Sequence, residues 1–243
     1  MTEKPDLTLN NFTIQSQGFE AEVIRTNRKK TIAFKIAEGK VSILVPKSLA
    51  AKEISSLILK KQRWINEKLE LQKASPTIKP KAFVAEEIFS YLGNDVRLKI
   101  VAGAYPKIQF DQQNLIVSVR NPTLDNATAI KQLLIKWYQQ QAYIALSEKT
   151  QYYAKIIGVS PTNICIKTYK ARWGSCSTRG EIYYNWKIMM APVNIIDYLV
   201  VHELCHILHH NHSPSFWLAV EKYHPEFRTA KAWLKANGRS LEI

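Results

Sequence analysis

Histidine is absent from the first 201 residues of this 243-residue chain. Cysteine is scarce: Cys165, Cys176 and Cys205 form no paired framework, which excludes a disulfide scaffold and suits a reducing, cytoplasmic setting. No stretch approaches the 18 or more uninterrupted apolar residues of a membrane span, so no membrane partner is expected. The first residues, "MTEKPDLTLNNF", lack the apolar run of a secretory signal. Internal repeats and low-complexity tracts are not evident either.

Acidic residues are also in short supply. Asp and Glu total 20 against 34 Lys and Arg, a net charge of +14. Between Lys149 and Lys187 seven basic residues face Glu181 alone, and "RTNRKK" at 25–30 is a second basic cluster. Such an excess makes nucleic acid a candidate partner class. The composition is otherwise that of a globular protein, 46% hydrophobic and 22% charged.

Periodicity predicts an α+β fold. Strands are expected at 19–26, 31–37 and 40–46, with "EGK" as a hairpin turn. A helix follows to about residue 73, with Ser48 as its N-cap. Beyond the Pro-containing connector 74–82, short strands are expected at 87–92, 96–101, 106–110 and 114–119. A long helix fits 123–157, stopped by Gly158. Strands at 163–170 and 181–188 flank the turn-rich "ARWGSCSTRG". Helices then fit 194–209, capped by Asn194, 214–222 and 225–236. The division drawn from this pattern is a β-rich N-terminal region with one helix, 1–121, and a C-terminal region, 122–243.

All six histidines lie in that second region, five of them within "VHELCHILHHNHSPSFW" at 201–217 and the sixth at His224. His202, Glu203 and His206 form H-E-x-x-H. Residues four apart share one helical face, so two imidazoles there can hold one ion. Glu203, one step round the helix, reaches a metal-bound water instead of the metal. A third ligand is needed. His209 would lie roughly 10 Å along an unbroken helix from His202. His212 reaches the ion if the helix ends near His210 and the chain turns back. Asn211 tolerates the left-handed conformation that ends helices, and Ser213-Pro214 is an N-cap with a first-turn proline. His212 is therefore the expected third ligand and His209 the alternative. The spacing matches the metzincin signature, except that His209 stands where that signature has Gly. Three histidines leave one zinc position open, and the expected chemistry is metal-assisted hydrolysis with Glu203 as proton acceptor.

"RWGSCS" at 172–177, "YYNWKIMMAP" at 183–192 and "DYLVVHELCHILHHNHSPSFW" at 197–217 resemble the YgjP-like predicted metal-dependent hydrolases, relatives of SprT-like and WLM-type zinc proteases. "NRKKTIAFKI" and "VSILVPKSL" extend the resemblance over most of the chain. It implies a minimal zincin-like catalytic core holding one zinc ion on His202, His206 and His212, with Glu203 catalytic. A peptide or protein substrate follows from it, and the SprT-like and WLM relatives act on proteins bound to DNA. Arg172, Trp173, Tyr183 and His224 are further candidates for substrate or oxyanion contacts. The strand 181–188 is a candidate edge for pairing with an extended peptide. Asp197 reads either as an acid near a helix N-terminus or as a support for a ligand. Two other readings compete: a zinc hydrolase acting on a non-peptide bond, and a basic nucleic-acid-binding module whose zinc is structural.

Overall fold

The computed structural model describes residues 11–37, 39–73, 80–121 and 127–243. Residues 74–79 of the connector, Glu38 of the "EGK" turn and the expected start of the long helix at 123 lie outside the described residues. The chain separates into two compact units, Met1–Thr77 and Ile78–Ile243.

In the first unit β1 (Phe12–Ser16), β2 (Phe19–Thr26), β3 (Ala33–Ala37) and β4 (Lys40–Pro46) form a sheet in the order β1-β2-β4-β3. Strand β1, absent from the periodicity reading, pairs antiparallel with β2. β2 and β4 are parallel, and β3 and β4 antiparallel. Helix α1 (Ala51–Lys73) lays Ile54, Ile58, Ile65 and Leu69 onto Val23, Val41, Ile43 and Val45. Its first turn is closed by Glu53, whose Oε2 accepts from the Ala50 N–H at 3.1 Å, so Ser48 is not the cap.

The second unit begins with β5 (Ile88–Tyr91), β6 (Asn94–Ala102), β7 (Lys107–Phe110) and β8 (Asn114–Val119), ordered β5-β6-β8-β7. The central pair β6 and β8 is parallel and the outer pairs are antiparallel. This is the topology of the first sheet, again followed by a helix, α2 (Ala127–Ile157). The fold therefore contains a four-strand-plus-helix repeat that the residues themselves do not display.

The expected division at residue 121 does not match the packing. Phe89, Val96, Leu98 and Val117 of the second sheet share one apolar core with Leu134, Leu146, Tyr184 and Val201. Tyr138 Oη donates to the Ser90 carbonyl at 2.7 Å, tying α2 to that sheet. The β-rich part nearest the C-terminal helices thus belongs with them.

Beyond α2 a small sheet follows, built from β9 (Asn163–Lys167), β10 (Gly174–Cys176) and β11 (Glu181–Asn185), in the order β10-β11-β9. β11 stops at Asn185 because that side chain accepts from the Lys187 N–H at 3.3 Å and caps a 3-10 turn, Trp186–Met190. The expected edge at 181–188 is corrected here. β11 is the central strand, paired on both sides. The edge lies in the segment expected to be only turns, where Gly174, Ser175 and Cys176 pair with Tyr184, Tyr183 and Ile182. Helices α3 (Val193–Leu208), α4 (Pro214–Tyr223) and α5 (Phe227–Asn237) complete the unit. No described helix is long and apolar enough to cross a membrane.

Candidate metal centre

Helix α3 is apolar on nearly every side, with Ile195, Ile196, Val200, Val201, Leu204 and Cys205 all buried. It begins at Val193 after Pro192, and no side chain caps it, so Asn194 does not serve as N-cap. His202 and His206 lie on its remaining face, their ring centroids 5.0 Å apart.

The helix ends at Leu208. His209 is extended (φ −139, ψ 103), and its N–H donates to the Cys205 carbonyl at 3.0 Å. Asn211 is not among the positive-φ residues, so the turn is made without a left-handed asparagine. Ser213 then caps α4, its Oγ accepting from the Phe216 N–H, with Pro214 in the first turn. This short junction carries His212 back over α3. Its Nε2 lies 3.2 Å from His202 Nε2, and its ring centroid lies 4.8 Å from that of His206.

One ligating atom from each of His202, His206 and His212 falls within 4.8 Å of the others, the one cluster among the described residues that could hold a metal ion. His209 contributes its carbonyl instead of its ring. His206 Nδ1 lies 3.1 Å from His209 O, and since a carbonyl can only accept, Nδ1 carries the proton. The Nε2 lone pair of His206 is thereby left free for an ion. Aromatic packing fixes the rings: Phe216 stacks on His206 at 4.4 Å, and Trp217 stacks on His212 at 5.5 Å. Burial, then the charges of His206, His212 and Lys231, hold His202 down to about 3. His206 is also lowered, chiefly by burial. Both imidazoles are therefore neutral at pH 7, the form that binds metal.

Glu203 is 3% exposed, and its Oε2 has no hydrogen-bond partner. Burial pushes its carboxyl up to about 8, against the pull of the Arg172 charge. It fits because β10 presents glycine to it: a Cβ on Gly174 would lie 2.7 Å from Glu203 Cδ. A buried, unpartnered carboxyl one residue from an imidazole cluster suits a divalent cation with a bound water. The donor set also fits zinc, which takes imidazole nitrogen readily.

The other candidates divide. Arg172 is exposed, with its charge felt at Glu203. Trp173 packs its ring against Gly238. Tyr183 is not brought to the site. It lies one residue out of phase with Tyr184, the partner of Gly174, so it projects from the opposite sheet face and donates to Glu181 Oε2 at 3.2 Å. His224 stands outside the cluster, its ring 5.9 Å from that of Tyr198 and its Nε2 buried without a partner. Asp197 accepts from Lys149 Nζ of α2 at 2.6 Å.

Two residues were missed by sequence reasoning. One is Gly174, read only as one of the turn residues of "ARWGSCSTRG", although a glycine there is also compatible with close backbone approach. The other is Tyr198, four residues before His202 on the same face, with its ring 5.7 Å away. Its hydroxyl is pushed up to about 12 by burial and by Glu203, so it remains a proton donor.

The model of the YgjP-like metallopeptidase domain matches residues 30–237. The chain belongs to the YgjP-like family. Among solved structures, the metallopeptidase zymogen of Pyrococcus abyssi abylysin matches at 23% identity, with a TM-score of 0.34, over 37% of this chain and 93% of that one. None of the curated proteins matches. The YgjP-like match spans both compact units, and the three-histidine cluster lies in the second.

Proposed function

We propose that this YgjP-like chain is a zinc-dependent peptidase whose chemistry resides in the second unit, Ile78–Ile243, with a minimal zincin-like core at its C-terminal helices. The observation that carries the reading is the buried, unpartnered Glu203 carboxyl beside three convergent imidazoles. His202, His206 and His212 would hold one zinc ion. When bound, zinc acidifies water and polarises a carbonyl. Glu203 takes the proton from the attacking water and passes it to the leaving amine. Among the described residues β10 pairs only with β11, which leaves its outer edge for an extended peptide backbone.

The cluster supplies three protein ligands, whereas a structural zinc site takes four. That favours a hydrolase over a binding module. The test is a set of variants measured for zinc by elemental analysis and for cleavage of a degenerate peptide library. Wild type and His209→Ala should each hold one zinc, and His212→Ala should lose it. Glu203→Gln should keep zinc while its cleavage rate falls about 10²–10⁴-fold. Wild-type cleavage by Glu203→Gln would sink the mechanism. Cleavage of esters but not amides by the wild type would move the activity to a non-peptide bond.

A further inference from the structure

A cavity of about 420 Å³ opens between the segment 169–173, the Asn185–Lys187 turn and the chain's last residues, 234–242. Lys170, Arg172, Lys187, Lys235 and Arg239 line it, against one carboxylate, Glu242. Glu242 is occupied by its ion pair with Lys187. Among the described residues no carboxylate pairs with the other four cations.

Its wall is built firmly. Asn185 is buried, and its Nδ2 donates to the carbonyls of Tyr169 and Arg172 at 3.1 and 3.2 Å. The Asn185 N–H donates to the Trp173 carbonyl at 2.7 Å. The loop carrying Lys170 and Arg172 is thus bolted to β11. A concave site lined by one sign of charge focuses its field and attracts anions. Arginine adds a planar fork that matches a carboxylate.

Position says which anion. Arg172 comes two residues before Gly174, against which Glu203 rests. Two residues of chain span at most about 7 Å. A peptide laid along β10 therefore brings side chains two to three residues from the attacked bond to the mouth of the cavity. A half-open, concave pocket on that path suits one group carried by the substrate chain itself.

We propose that this cavity is a specificity subsite for a substrate carboxylate, supplied by an acidic side chain or by the peptide's own C-terminus about two to three residues from the scissile bond. The assignment rests on the peptidase reading above. Its test compares zinc-loaded wild type with the double variant Lys235→Glu/Arg239→Glu, both positions being exposed. A milder Lys235→Gln/Arg239→Gln pair guards against misfolding. Degenerate octapeptides carry Glu or Gln at each position, with free or amidated C-termini.

The expected result is at least a tenfold higher kcat/KM for the carboxylate-bearing peptide, with the ratio collapsing toward one in either double variant. A Glu preference among amidated peptides identifies the side chain as the source. A preference for free acid over amide identifies the chain end. Cleavage without any carboxylate preference, or a preference that survives both double variants, overturns the subsite.

If wild type cleaves no peptide, binding to Glu203→Gln, read by fluorescence anisotropy, decides the subsite separately. Tenfold tighter binding of Glu over Gln peptides, lost in the double variant, upholds it even as the peptidase reading falls. Equal binding overturns it. A labelled single-stranded DNA that binds through Lys235 and Arg239, undisplaced by the Glu peptide, also overturns it and makes the cavity a phosphodiester site.

Discussion

The two four-stranded sheets share one topology, yet the helices that follow them differ in a way that decides where a site can form. On α1 the buried residues Ile54, Ile58, Ile65 and Leu69 keep to one narrow stripe. On α2 the buried series Ile130, Leu134, Tyr138, Ala142, Leu146, Thr150 and Ala154 advances strictly by four. Four residues turn a helix by about 400°, so each step rotates the stripe by about 40°, and six steps by about 240°. The first half of α2 therefore faces its sheet through Trp137 and Tyr138, which pack on Tyr91. The second half faces elsewhere: Thr150 meets Tyr184 of β11 at 3.0 Å, and Lys149 pairs with Asp197 of α3. One repeat unit ends at its own core. The other continues into the helices that carry the histidines.

The sharpest way to break this contrast is metal removal. The site lies wholly in Ile78–Ile243, so bound metal should stabilise that unit and not the other. With zinc at about 1,000 times Kd the stabilisation is about 4 kcal/mol. Calorimetry should show two transitions, with a chelator lowering one and leaving the other in place. His206→Ala should behave as the chelated wild type does. A common shift of both transitions would mean that the units unfold together and the contrast has no energetic meaning.

Core truncations probe the same contrast with a smaller effect. Leu146 and Ile58 are both essentially unexposed, at 0% and 2%. Leu→Ala or Ile→Ala at such sites costs about 3 kcal/mol. Leu146→Ala should weaken zinc retention, because it loosens the part of α2 that faces β11 and α3. Ile58→Ala should leave zinc content unchanged. Equal zinc loss in the two variants would show that the α1 stripe supports the site as well.

The pH dependence of the chelated protein is smaller again. The His202 pKa is depressed from 6.5 to about 3, so its contribution is full above pH 6.5 and is lost as pH falls toward 3. The Glu203 pKa is raised from 4.5 to about 8, so its contribution is full below pH 4.5 and is lost as pH rises toward 8. Glu203→Gln removes only the second limb. Relative to wild type the variant should gain stability, on the order of a few kcal/mol, as pH rises from about 5 to 8. Parallel unfolding curves for the two proteins across that range would show that Glu203 is not held protonated by burial.

What the sequence revealed follows the range of the forces involved. His202 and His206 were legible because their spacing is helical, and His212 because Ser213-Pro214 announces a new helix. The repeat was not legible, since it resides in hydrogen-bond register and not in side chains. Nor was β10, three residues of turn-like composition that become a strand only by pairing with β11. The division near residue 78 was missed because α2 is buried on a rotating stripe, which joins the second sheet to the C-terminal helices. The role of Gly174 depends on a contact with Glu203, 29 positions later in the sequence (203 − 174).

Glycine supplies the smallest and most discriminating test, because Gly158 and Gly174 are required for opposite reasons. Gly158 ends α2 at φ +80, and a methyl group added there would meet nothing within 4 Å, so its requirement is conformational alone. Its N–H and that of Val159 both donate to the Ala154 carbonyl, at 2.9 and 3.0 Å. Gly158→Ala should cost about 1 kcal/mol, leave zinc and cleavage untouched, and so locate the end of α2 energetically. Gly174 has no such φ, and its space is filled by the Glu203 carboxyl. Gly174→Ala should therefore read out in chemistry, with zinc retained and cleavage reduced as the carboxyl is pushed aside. Should Gly158→Ala abolish cleavage as well, the stop of α2 would be part of the site, and the division between scaffold and chemistry drawn along this helix would have to move toward its C-terminus.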